Sequence, residues 1–173
     1  MRRVLLAAAL LACACGRSGS KAGSAVDYRP PDGSFRARLP SNWKADESPG
    51  ETRKAAFFGP PDGAKPYSEL MGVYFHAAAD PEAAARTYLS IAGVGPATPR
   101  EIAVGSRRGL EIDGTRTMPA VELAPQTVSV RTVAVPVAGG FFTLEHTWPA
   151  GTTAAPAFDE LLRTFEPAAG AAK

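Results

Sequence analysis

The sequence predicts an α+β fold built on an antiparallel sheet, and three patterns carry that prediction. Phe35, Ala37 and Leu39 alternate with Ser34, Arg36 and Arg38, the period-two pattern of a strand with one buried face. Val128 to Val137 and Phe141 to Trp148 flank Gly139-Gly140, which reads as a tight hairpin. Phe158, Leu161, Leu162 and Phe165 recur at helical spacing, so one face of a last helix must pack on the sheet.

The chain opens with Arg2-Arg3 and the apolar run Val4 to Ala12, a positively charged start followed by a short hydrophobic stretch that reads as a secretory leader. Nine apolar residues fall short of the roughly 20 that a membrane-spanning helix needs. The chain's two cysteines, Cys13 and Cys15, stand at the end of this run, in the place where a lipoprotein leader presents a thiol for diacylglycerol. Cys13 has Leu10 three residues ahead and Ala12 before it. Cys15 lies between Ala14 and Gly16 and gives a more workable leader length, so it is the preferred site with Cys13 as the alternative. A zinc site would need further ligands, and redox pairs are usually Cys-x-x-Cys.

Gly16 to Ala25 is rich in small polar residues and has no periodicity; as a coil, ten residues span about 17 Å. The expected organisation is a signal peptide over 1–14, a flexible stem over 15–25, one domain over 26–167 and a disordered tail over 168–173.

Within the domain, Pro30-Pro31-Asp32-Gly33 is a turn before the first strand, and Pro40-Ser41-Asn42-Trp43 ends it. Ala55 to Gly59 is a short apolar run before a second Pro-Pro-Asp-Gly turn. Leu70 to His76 is apolar on both faces and therefore expected at the centre of the sheet. Asp80-Pro81-Glu82 starts a helix with a capping carboxylate, a proline at the first position and an acid near the positive end of the dipole. Ala84, Ala85, Tyr88, Leu89 and Ala92 form its apolar stripe, with Gly93 closing it. Ile102 to Val104 and Leu110 to Ile112 are expected to form a hairpin around Gly105-Ser106-Arg107-Arg108-Gly109. Pro136 cannot donate to a ladder, so its strand should meet an edge or bulge there. Thr152 or Thr153 is the expected cap of the last helix, and Pro167 follows its end.

The Phe35-to-Trp43 segment with its Pro-x-x-Trp ending, the central strand leading into a helix, and the terminal strand leading to Phe158-Asp159-Glu160-Leu161-Leu162-Arg163-Thr164-Phe165 together resemble the PsbP-like/DcrB-like superfamily, over about residues 26 to 167. The resemblance implies an α/β/α sandwich, an antiparallel sheet with helices on both sides. It implies little chemistry, because members include photosystem accessory subunits, bacterial lipoproteins and secretion-associated binding proteins. Metal-binding residues of some members match no motif here, and none is carried over.

Without Arg2 and Arg3 the 19 Lys and Arg become 17, equal to the 17 Asp and Glu. A nucleic-acid partner is therefore not expected, since phosphate binding calls for a clustered basic footprint. His76 and His146 are the only histidines, and each is read first as a strand residue with a satisfied ring nitrogen. They could share a metal if their strands were neighbours, but Glu145 and His146 point to opposite faces and cannot converge without a bulge. No Gly-x-Ser-x-Gly elbow presents a nucleophile, and Gly93-Val94-Gly95 follows a helix where a dinucleotide loop follows a strand. Arg107 and Arg108 at a hairpin tip and the large ring of Trp43 are the candidate binding surface, with an exposed basic turn and a core aromatic as the plainer readings.

The expectation is a non-catalytic binding or accessory module of the bacterial cell envelope. It is held by an N-terminal lipid on a membrane surface facing the periplasm, the outer membrane ahead of the inner, and acts on an envelope protein partner without a cofactor. A small-ligand or metal-binding lipoprotein is the second reading and an envelope hydrolase the third. An apolar interface should leave an exposed patch of several hundred Å², a ligand site a pocket with convergent polar groups.

Overall fold

The alternation at Phe35 is a strand in the computed structural model, which describes residues 24–46, 48, 50–63, 68–92, 98–118 and 126–168. In β2 (Phe35–Pro40) the three apolar residues are buried and the two arginines exposed. β1 (Ala25–Tyr28) and β10 (Glu166–Pro167) pair with it on either side, giving a three-stranded antiparallel sheet.

The larger sheet has seven strands, all antiparallel to their neighbours. They are β3 (Lys44–Asp46), β4 (Arg53–Phe58), β5 (Leu70–Ala77), β6 (Arg100–Val104), β7 (Arg107–Met118), β8 (Gln126–Val137) and β9 (Gly140–Pro149), in the spatial order β3-β4-β5-β9-β8-β7-β6. β5 lies inside the sheet between β4 and β9, as its two apolar faces require.

Both faces of this sheet are covered, which makes the protein a mixed α+β fold. α1 (Pro81–Ile91) is capped by Asp80, whose carboxylate accepts the Ala83 N–H at 3.1 Å, and it buries Ala85 and Leu89 against Leu110, Ile112, Val130, Ala134 and Phe141. On the other face Phe142, Leu144 and Val133 pack with Phe35, Leu39 and the buried side of α2 (Ala157–Thr164), namely Phe158, Leu161 and Leu162. Phe165 follows α2 in extended conformation with its ring fully buried, 5.2 Å from Phe35 and 5.4 Å from Phe142.

Several expectations are corrected. The β6–β7 loop is only Gly105-Ser106; Arg107 and Arg108 are strand residues paired with Val104 and Ala103. Gly105 has φ +53, and a Cβ there would stand 2.3 Å from the Phe165 carbonyl oxygen, so the turn is tight because the end of α2 packs on it. Gly140 belongs to β9 rather than the turn, its Cα side facing the His76 carbonyl where a Cβ would come within 2.2 Å. Neither Thr152 nor Thr153 caps α2: the N-cap is Pro156, without a side-chain bond, and the Thr152 hydroxyl donates to the Pro149 carbonyl within the preceding turn. Pro136, by contrast, does meet the expected edge: it lies past Ala134, where the ladder to β7 stops, and is paired only with Phe141 of β9. Ala25, placed in the stem, begins β1, and Ala168, placed in the tail, donates its N–H to Ser34. Cys13, Cys15 and Gly93-Val94-Gly95 lie outside the described residues.

Candidate functional site: an ion-paired cleft beside the second helix

The face of the sheet under α2 carries charge where β6, β7 and β8 run past the end of the apolar core. Cross-strand register sets the arrangement. Arg100 lies opposite Glu111, and Asp113, Arg131 and His146 form one row across β7, β8 and β9. Glu111 is 1% exposed, so its carboxylate must be compensated. Arg100 donates from Nε at 2.6 Å, Arg131 donates from its own Nε to the second oxygen, and Arg131 Nη1 reaches Asp159 of α2 at 2.6 Å. The Arg131 guanidinium carbon also lies 5.3 Å from the centre of the Phe158 ring. Burial alone would lower the Arg131 pKa, but hydrogen bonds to Asp159 and Glu111 outweigh it and hold the group above its ordinary value.

Next along the row, His146 is 1% exposed and its Nε2 lies 2.5 Å from a Glu69 carboxylate oxygen. Glu69 also accepts the Ala155 N–H, at 2.9 Å to one oxygen. The imidazole is enclosed by Trp148 at 4.9 Å, Phe158 at 5.1 Å and Trp43 at 6.3 Å between ring centres. This pair clasps three segments: the approach to β5, strand β9 and the loop entering α2. The ring is nearly buried, yet it lies at the floor of a cleft, with its Nε2 held by Glu69.

Above the clasp and the charged row lies an open cleft of about 480 Å³, walled by Arg100, Asp113, Arg131, Asp159, Trp148 and Phe158. Two guanidiniums, two partly exposed carboxylates and an indole therefore converge on one rim. Such a rim can receive a polar ligand or side chain by exchange of an ion-pair partner, with the aromatic wall for its apolar part.

The opposite face holds a second polar group. His76 is half-buried, stacked on Phe141 at 4.9 Å, and its Nε2 lies 3.1 Å from the Thr143 hydroxyl; burial lowers its pKa. Glu145 is ion-paired with Arg116 at 2.7 Å. Burial, then the Glu145 charge, raises the pKa of both Tyr74 and Tyr88.

The two histidines thus sit on opposite faces, His76 on the α1 side with Phe141 and His146 on the α2 side with Phe158. Among the described residues no group of three metal-ligating side chains is found. Trp43 packs on the core before β3, whereas Arg107 and Arg108 lie at the other edge of the strand order; Arg108 pairs with Glu101 at 3.5 Å. The three do not form one surface.

No family model matches the chain, and no curated protein matches it. A solved structure does. The crystal structure of a protein from Bacteroides thetaiotaomicron VPI-5482, at 1.50 Å resolution, is similar over 83% of this chain with a TM-score of 0.61 and 15% identity. The present chain spans about half of that protein, 48% of its length. At this identity the likeness shows the fold alone.

Sequence reasoning missed Glu69, Arg100, Glu111, Arg131 and Asp159. In sequence Leu110-Glu111-Ile112 is the ordinary alternation that puts an acid on a solvent face, and only the packing of the second face shows that Glu111 is buried among cations.

Proposed function

We propose that the chain is a non-catalytic binding module, tethered through a diacylated Cys15 to a membrane surface of the bacterial envelope, with a PsbP-like arrangement of its α+β fold. The observation that supports it is the cleft: charges of both signs, with the two arginines held by the buried Glu111, converge on an open rim. A fixed, polar rim is built for recognition, since its hydrogen-bonding groups need little ordering when a partner arrives. The large apolar residues left exposed among the described residues, Val26, Ile91 and Met118, are separate in the sequence and on different elements, so polar contacts rather than an apolar patch carry the reading.

An envelope protein presenting a charged loop is the partner favoured here. The cleft volume of about 480 Å³ favours a second reading, a small polar ligand, because such sites span about 300 to 1,000 Å³. Complementation of a deletion strain tests the binding role. Arg100→Gln with Asp113→Asn should abolish it at unchanged protein level, while His76→Ala and His146→Gln should lower stability and leave the role intact. Loss of the role in a stably folded His146→Gln protein, with the rim variant active, overturns the reading.

A further inference from the structure

On the outward face of the three-stranded sheet lies a second groove, of about 550 Å³, lined by Arg29, Arg36, Arg38 and Arg163 with Asp27 and Glu166. It does not overlap the cleft described above. We infer that this arginine groove docks on the anionic phospholipid headgroups of the leaflet in which the chain is anchored. The inference rests on the proposed lipid tether.

Position supports it first. The described chain begins at Ser24, whose carbonyl accepts the Ser41 N–H at 2.9 Å, and β1 runs from there along the groove. Between a lipid on Cys15 and Ala25 stand the nine residues Gly16 to Ser24, whose backbone in any conformation reaches no further than about 32 Å. The groove is therefore the part of the fold next to the tether's attachment. Tethering also holds it at a high effective concentration near the surface, so a weak attraction suffices.

Charge supports it second. The mature chain is neutral, yet residues 16–38 contain Arg17, Lys21, Arg29, Arg36 and Arg38 against only Asp27 and Asp32. The Arg29 guanidinium is exposed and has no hydrogen-bond or ion-pair partner among the described residues. The other three are paired: the Arg38 pair is long and exposed and so weakly held, whereas Arg36 and Arg163 each grip a carboxylate through two nitrogens. Arg38 meets Asp27 at 3.4 Å with Asp27 94% exposed, Arg36 meets Glu166 at 2.5 Å, and Arg163 meets Glu160 at 2.6 Å. Guanidinium forks fit phosphate oxygens in two-point contacts, so Arg29 and the loosely paired Arg38 can take a headgroup directly, while Arg36 and Arg163 add positive charge beside them.

The test is flotation of the full chain with Cys13→Ser and Cys15→Ser, so that no acyl group contributes, on phosphatidylcholine vesicles with and without phosphatidylglycerol. The leader is present in every variant and cancels. At about 0.15 M salt, where screening acts over about 8 Å, the parent should prefer the anionic vesicles. Arg29→Gln should weaken that partition about fivefold and the triple change Arg29→Gln, Arg36→Gln, Arg38→Gln at least about tenfold, on the usual contribution of a cation at an anionic surface. The corresponding triple lysine variant should retain most of the preference. Equal partition of parent and triple glutamine variant overturns the inference, as does displacement by millimolar glycerol phosphate, which would make the groove a site for a free phosphate ester. The tether is read separately, from the mass of the mature N-terminus taken from cells: an unmodified N-terminus overturns the tether while the vesicle preference stands on its own.

Discussion

Replacing Phe165 by Ala should separate the α2–β2 layer from the main sheet. The ring is fully buried, lies 5.2 Å from Phe35 of β2 and 5.4 Å from Phe142 of β9, and is the residue at which α2 gives way to β10. Large-to-small core changes of this kind cost about 3 to 5 kcal/mol, and the upper half of that range applies where neighbours cannot collapse into the space. Here the neighbours are held: Phe35 by pairing with Pro167, Phe142 by ladders on both sides, and Gly105 by its bond to the Leu162 carbonyl at 2.8 Å. For a domain of this size each kcal/mol moves Tm by about 3 °C, so a fall of about 10 to 15 °C is expected. Thermal and urea unfolding of the Phe165→Ala chain would measure it, with Ile91→Ala, at 74% exposure, as the surface control. A loss below about 0.5 kcal/mol, the range of ordinary surface substitutions, would refute the packing described. Leu161→Ala should behave similarly, at about 2 to 5 kcal/mol.

The charged row makes its own predictions. Glu111→Ala should cost about 3 kcal/mol, the lower end for a broken buried pair, because Arg131 keeps Asp159 and the largely exposed Arg100 can turn to water. A double-mutant cycle of Glu111→Ala with Arg131→Ala should give a coupling of about 1 to 3 kcal/mol, and one under about 0.5 kcal/mol would show the pair to be incidental. His76 sets a pH dependence. Its folded pKa lies below its unfolded value of about 6.5, so the unfolded chain binds the extra proton; stability is full above about pH 6.5 and falls as pH drops through that value towards the folded pKa. Denaturant titrations from pH 7.5 to about 5 should show this slope reduced in His76→Phe; an unchanged slope would assign it elsewhere.

The fold was legible where a local pattern spans a whole element. β2 shows its alternation in six residues, α1 announces both its cap and its stripe, and α2 has its buried face at helical spacing. β1, β3 and β10 were not, since strands of four, three and two residues have no period of their own and exist through the partner that pairs with them. The hairpin at Gly105 was placed correctly but drawn too wide, because its two-residue turn is dictated by the backbone of Phe165, sixty residues away. The charged cleft was hidden for the same reason. Glu69 and His146 are 77 residues apart and Arg131 and Asp159 28 apart; the β5–β9 register brings the first pair together and the packing of α2 on the sheet the second.

Recognition through the cleft can be observed directly in cells by placing a photo-crosslinking amino acid at Ser129, which lines the cleft, and at Ser90 on the exposed side of α1 as a reference. Irradiation should give a discrete adduct from Ser129 that disappears when Arg100→Gln and Asp113→Asn are introduced, and none from Ser90. Equal labelling from both positions, or an adduct from Ser129 that survives the rim changes, would contradict the cleft as the recognition site.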